Sequence, residues 1–165
     1  MAQVDKVRQR LAGELSPGEW VQHGILGFRI GGVRRTMIAG AAGIAGAAGA
    51  TAVAAATSPA KADVPAAQLP LPGRFIVGLT SHRLMVFSIG GAFVAKPKKL
   101  LHAYALDQLA WISEPELAAG VAQSLRVSIG VAGAGVLSFE FPRLQVAEAR
   151  TMARRIERDL TAPQS

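Results

Sequence analysis

A chain of 165 residues, half of them hydrophobic, can bury one real core but not two full-sized ones. It has no cysteine, which excludes a disulfide framework and a thiolate metal site. The net charge of +7 favours acidic partners such as lipid headgroups or nucleic acid, an argument about steering rather than fold.

The opening residues, MAQVDKVRQRLAGEL, are charged throughout and lack the apolar stretch of a signal peptide. Val4, Val7, Leu11 and Leu15 recur at helical spacing and predict an amphipathic helix over Gln3 to Glu14, within an N-terminal block 1–15. Ser16-Pro17-Gly18 breaks it, and an extended segment runs from Trp20 to Ile30. Residues 37–57, MIAGAAGIAGAAGATAVAAAT, carry no charge and consist almost wholly of Ala and Gly. Their length suits a membrane span of ~20 residues. Alanine and glycine carry little transfer energy, however, and Ile38, Ile44 and Val53 alone supply more. A single span would also separate the first strand from all later ones. A loop insertion or partly helical arm is therefore expected ahead of an integral span. Pro59, Pro65, Pro70 and Pro72 make 58–72 an extended linker, so 37–72 reads as an insertion between the first two strands.

Two apolar runs, Phe75 to Leu79 and Leu84 to Ile89, flank the polar break Thr80-Ser81-His82-Arg83 and predict a tight antiparallel hairpin. Gly90-Gly91 and Lys96-Pro97-Lys98-Lys99 read as a loop. Strands are expected at 100–106 and 109–112, and Glu114-Pro115-Glu116 begins another loop. The clearest alternation follows. Leu125, Val127, Ile129 and Val131 oppose Arg126, Ser128 and Gly130. Beyond the turn 132–135, Leu137, Phe139 and Phe141 face the core while Ser138 and Glu140 face water. From Leu144 to Leu160 the period becomes helical, with Ala149, Met152, Ala153, Ile156 and Leu160 as the buried stripe and 161–165 as a tail. About seven short strands and a closing helix predict a mostly β fold, a small antiparallel barrel or sandwich with a C-terminal capping helix and an additional N-terminal helix.

Three passages carry a family resemblance. Residues 15–19, LSPGE, look like an "L-x-P-G-E" entry to a first strand. Residues 78–87, GLTSHRLMVF, resemble a "hydrophobic–T-x-x-R-L–hydrophobic" hairpin, and 106–112, LDQLAWI, resemble an "L-x-x-I/L-x-x-V/I" stretch around a fifth strand. In this order, ahead of a closing helix, they resemble the bacterial pleckstrin-homology-like (PH-like) domains, relatives of the GRAM domain. The resemblance covers 15–160 apart from 37–72, which the family pattern does not contain. It implies a PH-like domain over 16–160 and a binding or scaffolding module.

The residues themselves give a compatible picture. Thr80 can close its turn by bonding backbone, and Arg83 can reach carbonyls or an acidic side chain at the rim; both read as structural. No nucleophile elbow, Walker or dinucleotide fingerprint occurs. His23, His82 and His102 lack the spacing of metal pairs, so a non-enzyme without metal or cofactor is expected. Arg29, Arg34 and Arg35 flank the end of the first strand, where the resemblance implies the basic residues of phosphoinositide-binding PH domains. The ordered K-x(n)-[KR]-x-R motif is absent. Arg74 and the cluster Lys96, Lys98 and Lys99 extend this basic set as candidate lipid- or anion-binding residues, with Met37, Ile38 and Ile44 as apolar membrane contacts. Aromatics make up 5% of the chain and fall mostly at core positions, which leaves no obvious stacking face for nucleic acid. The reading is a cytoplasmic module, peripheral at the inner membrane face, binding anionic lipid or a protein partner. The alternative is a soluble protein-interaction or self-assembling domain, a homo-oligomer, with no lipid role.

Overall fold

The computed structural model describes residues 2–30, 64–91, 94–118 and 123–161. Helix α1 (Gln3–Arg10) precedes eight strands: β1 (Val21–Arg29), β2 (Arg74–Thr80), β3 (Arg83–Gly90), β4 (Lys96–Ala105), β5 (Leu109–Ile112), β6 (Glu116–Ala118), β7 (Ser124–Val131) and β8 (Gly135–Pro142). Helix α2 (Val146–Thr161) closes the chain. The strands form one antiparallel sheet in the order β4-β3-β2-β1-β8-β7-β5, with β6 also on β7. This is the expected mostly β architecture with a helix at each end, with one more strand than anticipated. That strand, β6, forms where Glu114-Pro115-Glu116 reads as a loop; three residues pairing with 124–126 suffice to extend the sheet.

The two halves of the sheet share one core. Phe75, Val77 and Leu79 of β2 and Leu84 and Val86 of β3 meet Leu125, Val127, Ile129, Leu137, Phe139 and Phe141 of β7 and β8. The Phe75 and Phe139 rings lie 5.5 Å apart and tilted, an arrangement suited to aromatic quadrupoles. Helix α2 closes this core with Ala149, Met152 and Ile156, and Ala153 is buried beside them, the stripe its helical period defines.

A second cluster lies on the opposite face of β1–β3: Val7 and Leu11 pack on Val21, Ile76, Met85 and Phe87. This explains why β2 and β3 read as unbroken apolar runs rather than alternating ones, since both of their faces are covered. The cross-strand partners Gly24 and Gly78 make the seat for α1. A Cβ on Gly24 would fall 2.7 Å from the Gln3 carbonyl oxygen, and one on Gly78 would fall 3.1 Å from Val7.

Four local expectations change. The helix ends at Arg10 and turns follow, although Leu11 and Leu15 still join its cluster. Lys96-Pro97-Lys98-Lys99 is strand rather than loop, because β4 is the outermost strand of the sheet, where charge and proline are tolerated. Ser138 and Glu140 alternate with the core residues as expected but are buried rather than facing water, as is Ser128. They are satisfied by one another's neighbourhood: Arg126 Nε donates to Glu140 at 2.9 Å, and Ser138 Oγ donates to Gln68 at 2.7 Å. Finally, the last part of the expected linker belongs to the fold. Leu69 N–H donates to the Val136 carbonyl and Val136 N–H to that of Ala67, and Leu71 enters the main core. The remainder of the insertion, 37–63, and the tail 162–165 lie outside the described residues.

The glycine seat generates a test. Gly24→Val should lower stability by about 2 kcal/mol or more, because the new side chain meets rigid helix backbone. Gly78→Ala should cost less, since the Val7 and Phe87 side chains can shift. Thermal unfolding that ranks the two equally would mean that α1 is not seated there.

Candidate functional site

The two regions that stand out in sequence, LSPGE and the T-x-x-R turn, meet at a single buried carboxylate. Glu19, at the entry to β1, is almost wholly enclosed. Its Oε2 accepts from Thr80 Oγ1 at 2.6 Å and from Arg83 Nε at 2.9 Å, and its Oε1 accepts from the Ser16 N–H at 2.9 Å. Thr80 Oγ1 in turn accepts from the backbone N–H groups of His82 and Arg83, each at 3.0 Å, which closes the β2–β3 turn. Arg83 Nη2 also donates to the Glu14 carbonyl at 3.0 Å. Burial alone would raise the Glu19 carboxyl. The hydrogen bonds from Thr80, Ser16 and Arg83, with the charge of Arg83, outweigh it and hold its pKa at about 2, against an ordinary 4.5. All its acceptor positions are committed, so this group fixes structure. Its part in the fold is missed in sequence because the acid and its partners lie 61 and 64 residues apart; the presence of both in family-like motifs is the one signal that ties them.

Two of the three histidines have side-chain partners. Nδ1 of His23, a buried β1 residue, lies 2.8 Å from Glu148 in the first turn of α2. His102 contacts Tyr104 and the Pro70 carbonyl, and His82 is an exposed turn residue. Among the described residues, no three His, Asp or Glu side chains gather as a metal site.

The basic candidates behave differently. Phe28 pairs with Arg74 across β1–β2, and Gly90 pairs with Lys96 across β3–β4. Ile76 pairs with Phe87, so Arg74 lies level with the end of β3. The register therefore brings Arg29, Arg74 and Lys96 to one end of the β1–β4 half, with Lys98 and Lys99 next along β4. Alternation separates them by face: Arg74 shares the α1 side with Ile76, while Arg29 shares the core side with Ile25. The Lys98 stem lies against Gly90. All five are exposed, and among the described residues none has an acidic partner. Asp5, Glu14, Glu19, Glu140 and Glu148, by contrast, are each held by a cation or histidine. Arg34, Arg35, Met37, Ile38 and Ile44 lie outside the described residues.

A scan against protein-family models matches none, and a search of curated proteins finds no match. Among solved structures, the chain is similar to the crystal structure of a pleckstrin homology domain from Shewanella amazonensis SB2B. The two are 14% identical, with a TM-score of 0.44, and the similarity covers 92% of this chain and 96% of that one.

The pH dependence of the Glu19 site follows from its sign. A carboxyl with a lowered folded pKa adds stability above its unfolded value and loses it as pH falls. Its contribution is complete above pH 4.5 and disappears toward about pH 2. A difference of this size corresponds to about 3 kcal/mol. Glu19→Gln should remove most of that at neutral pH and bring the mutant and wild-type stability curves together in acid. Parallel curves from neutral pH down to pH 2, in chemical denaturation, would show that the carboxylate is not what holds the turn.

Proposed function

We propose that the protein is a non-catalytic binding module that meets an anionic membrane surface, at the inner membrane face, with the basic end of its β1–β4 half. The observation that carries this reading is the set of five exposed cations, Arg29, Arg74, Lys96, Lys98 and Lys99, at one end and edge of the sheet without acidic partners among the described residues. Each cation near an anionic bilayer contributes ~1 kcal/mol, so several together give reversible, salt-sensitive attachment rather than permanent anchoring. No helix among the described residues is long and apolar enough to cross a membrane. The PH-like architecture fits a binding role and supplies a stiff frame for the charges. Arg34 and Arg35, with Met37, Ile38 and Ile44, would add a second contact from the chain between β1 and β2.

A second reading, self-assembly through sheet edges without a lipid role, has one observation in its favour. Strands β4 and β6 lie at margins of the sheet and expose Leu100 and Leu117.

Co-sedimentation of the full chain with phosphatidylcholine vesicles carrying increasing phosphatidylglycerol separates the two. Recovery should rise with phosphatidylglycerol, fall as salt is added, and drop for Arg34→Glu/Arg35→Glu. Equal recovery on neutral and anionic vesicles would remove the membrane reading. Concentration-dependent oligomers in sedimentation velocity would then support the second.

A further inference from the structure

We infer that the membrane-facing surface is the corner where α1 crosses the start of β4, and that its ligand is the phosphate-bearing headgroup layer of an anionic bilayer. The inference rests on the proposed membrane reading and assigns it an orientation. Lys6 Nζ donates to the Ala95 carbonyl at 3.0 Å, and Arg10 Nε donates to the Lys98 carbonyl at 2.7 Å. The Arg10 guanidinium also lies over the Phe87 ring, 5.6 Å from its centroid. Two α1 cations are thus clamped against the strand that carries Lys96, Lys98 and Lys99, which concentrates positive charge from two distant parts of the chain. Among the described residues, the only carboxylate paired within this group is Glu14, on Arg10.

One further observation favours a bilayer over a soluble polyanion. Val94 and Leu100, which bracket the lysines in sequence, are 51% and 38% exposed. Apolar side chains among cations suit the headgroup boundary, where both find a favourable environment. Edge protection does not account for the lysines either. Lysines commonly guard open edges against pairing, but here Pro97 and the occupied Ala95 and Lys98 carbonyls already obstruct a partner strand at this end. The charges are therefore left over for a ligand.

The test compares two charge-reversed full-length proteins on phosphatidylglycerol-containing vesicles at low salt. One is Lys96→Glu/Lys98→Glu/Lys99→Glu; the other, Arg143→Glu/Arg150→Glu/Arg154→Glu, lowers the net charge equally at exposed positions on and just before α2. The β4 variant should lose roughly 100-fold in partitioning, and the α2 variant less than about threefold. Both should melt cooperatively as a check on folding. Because the chain has no cysteine, an environment-sensitive fluorophore on Val94→Cys should shift to the blue on vesicles, while one on Ala147→Cys should not. Equal losses in the two variants, or no shift at position 94, would overturn the orientation while leaving membrane binding intact. A wild-type chain that ignores anionic vesicles would overturn both.

Discussion

A carboxylate taken out of water is costly unless every acceptor position is met, and Glu19 meets that condition with groups from two segments of the chain. Its bonds to Ser16, Thr80 and Arg83 fix the entry to β1 and the β2–β3 turn together. Arg83 reaches further, to the Glu14 carbonyl, and so fixes where the chain leaves α1. A replacement by apolar side chains could bury as much area, but it would not set the direction of entry. The charge contributes geometry as well as energy: with β1 held at its start, the Gly24–Gly78 seat comes into register for α1.

That registry has a consequence for the surface. With α1 on one face and the shared core on the other, β2 and the first half of β3 have no free side. Water-facing positions in this half are pushed to its end and to its outer strand. Those positions carry Arg29, Arg74, Lys96, Lys98 and Lys99. The acids named above are paired within the fold, so the uncompensated positive charge there is a product of the packing and not merely of composition.

The legible parts of this structure are those whose information is local. The β2–β3 and β7–β8 hairpins and the α2 stripe are set by spacing within a single segment, and they appear where the period puts them. The start of β4 is not legible because Lys-Pro-Lys-Lys is unfavourable in a central strand and acceptable at an edge, and which strand is the edge depends on the whole sheet. Likewise, alternation identifies the face of Ser138 and Glu140 but not what meets that face. Gln68, which meets Ser138, comes from elsewhere in the chain, while Arg126 sits directly across the β7–β8 hairpin from Glu140, on a face that alternation alone leaves open to water. Proline spacing made 58–72 resemble a linker, yet Leu69 and Leu71 supply apolar side chains to the core from within it. Of the basic candidates, sequence named the β4 lysines but not their association with Lys6 and Arg10, for which nothing in either segment gives a sign.

The worth of a basic surface depends on how firmly its charges are held. A lysine on a mobile loop loses conformational freedom when it meets a headgroup, and that loss offsets much of the electrostatic gain. Here the backbone beneath Lys96, Lys98 and Lys99 belongs to a strand paired with β3, with its Lys98 carbonyl and that of Ala95 just before it tied to α1. Helix α1 is itself held at the Glu14 end through Arg83. The frame is therefore fixed at both ends before any ligand arrives, leaving chiefly side-chain freedom to lose. The buried Glu19 network and the exposed basic corner are thus linked through α1: the first determines where the helix lies, and the helix determines how rigidly the second is presented.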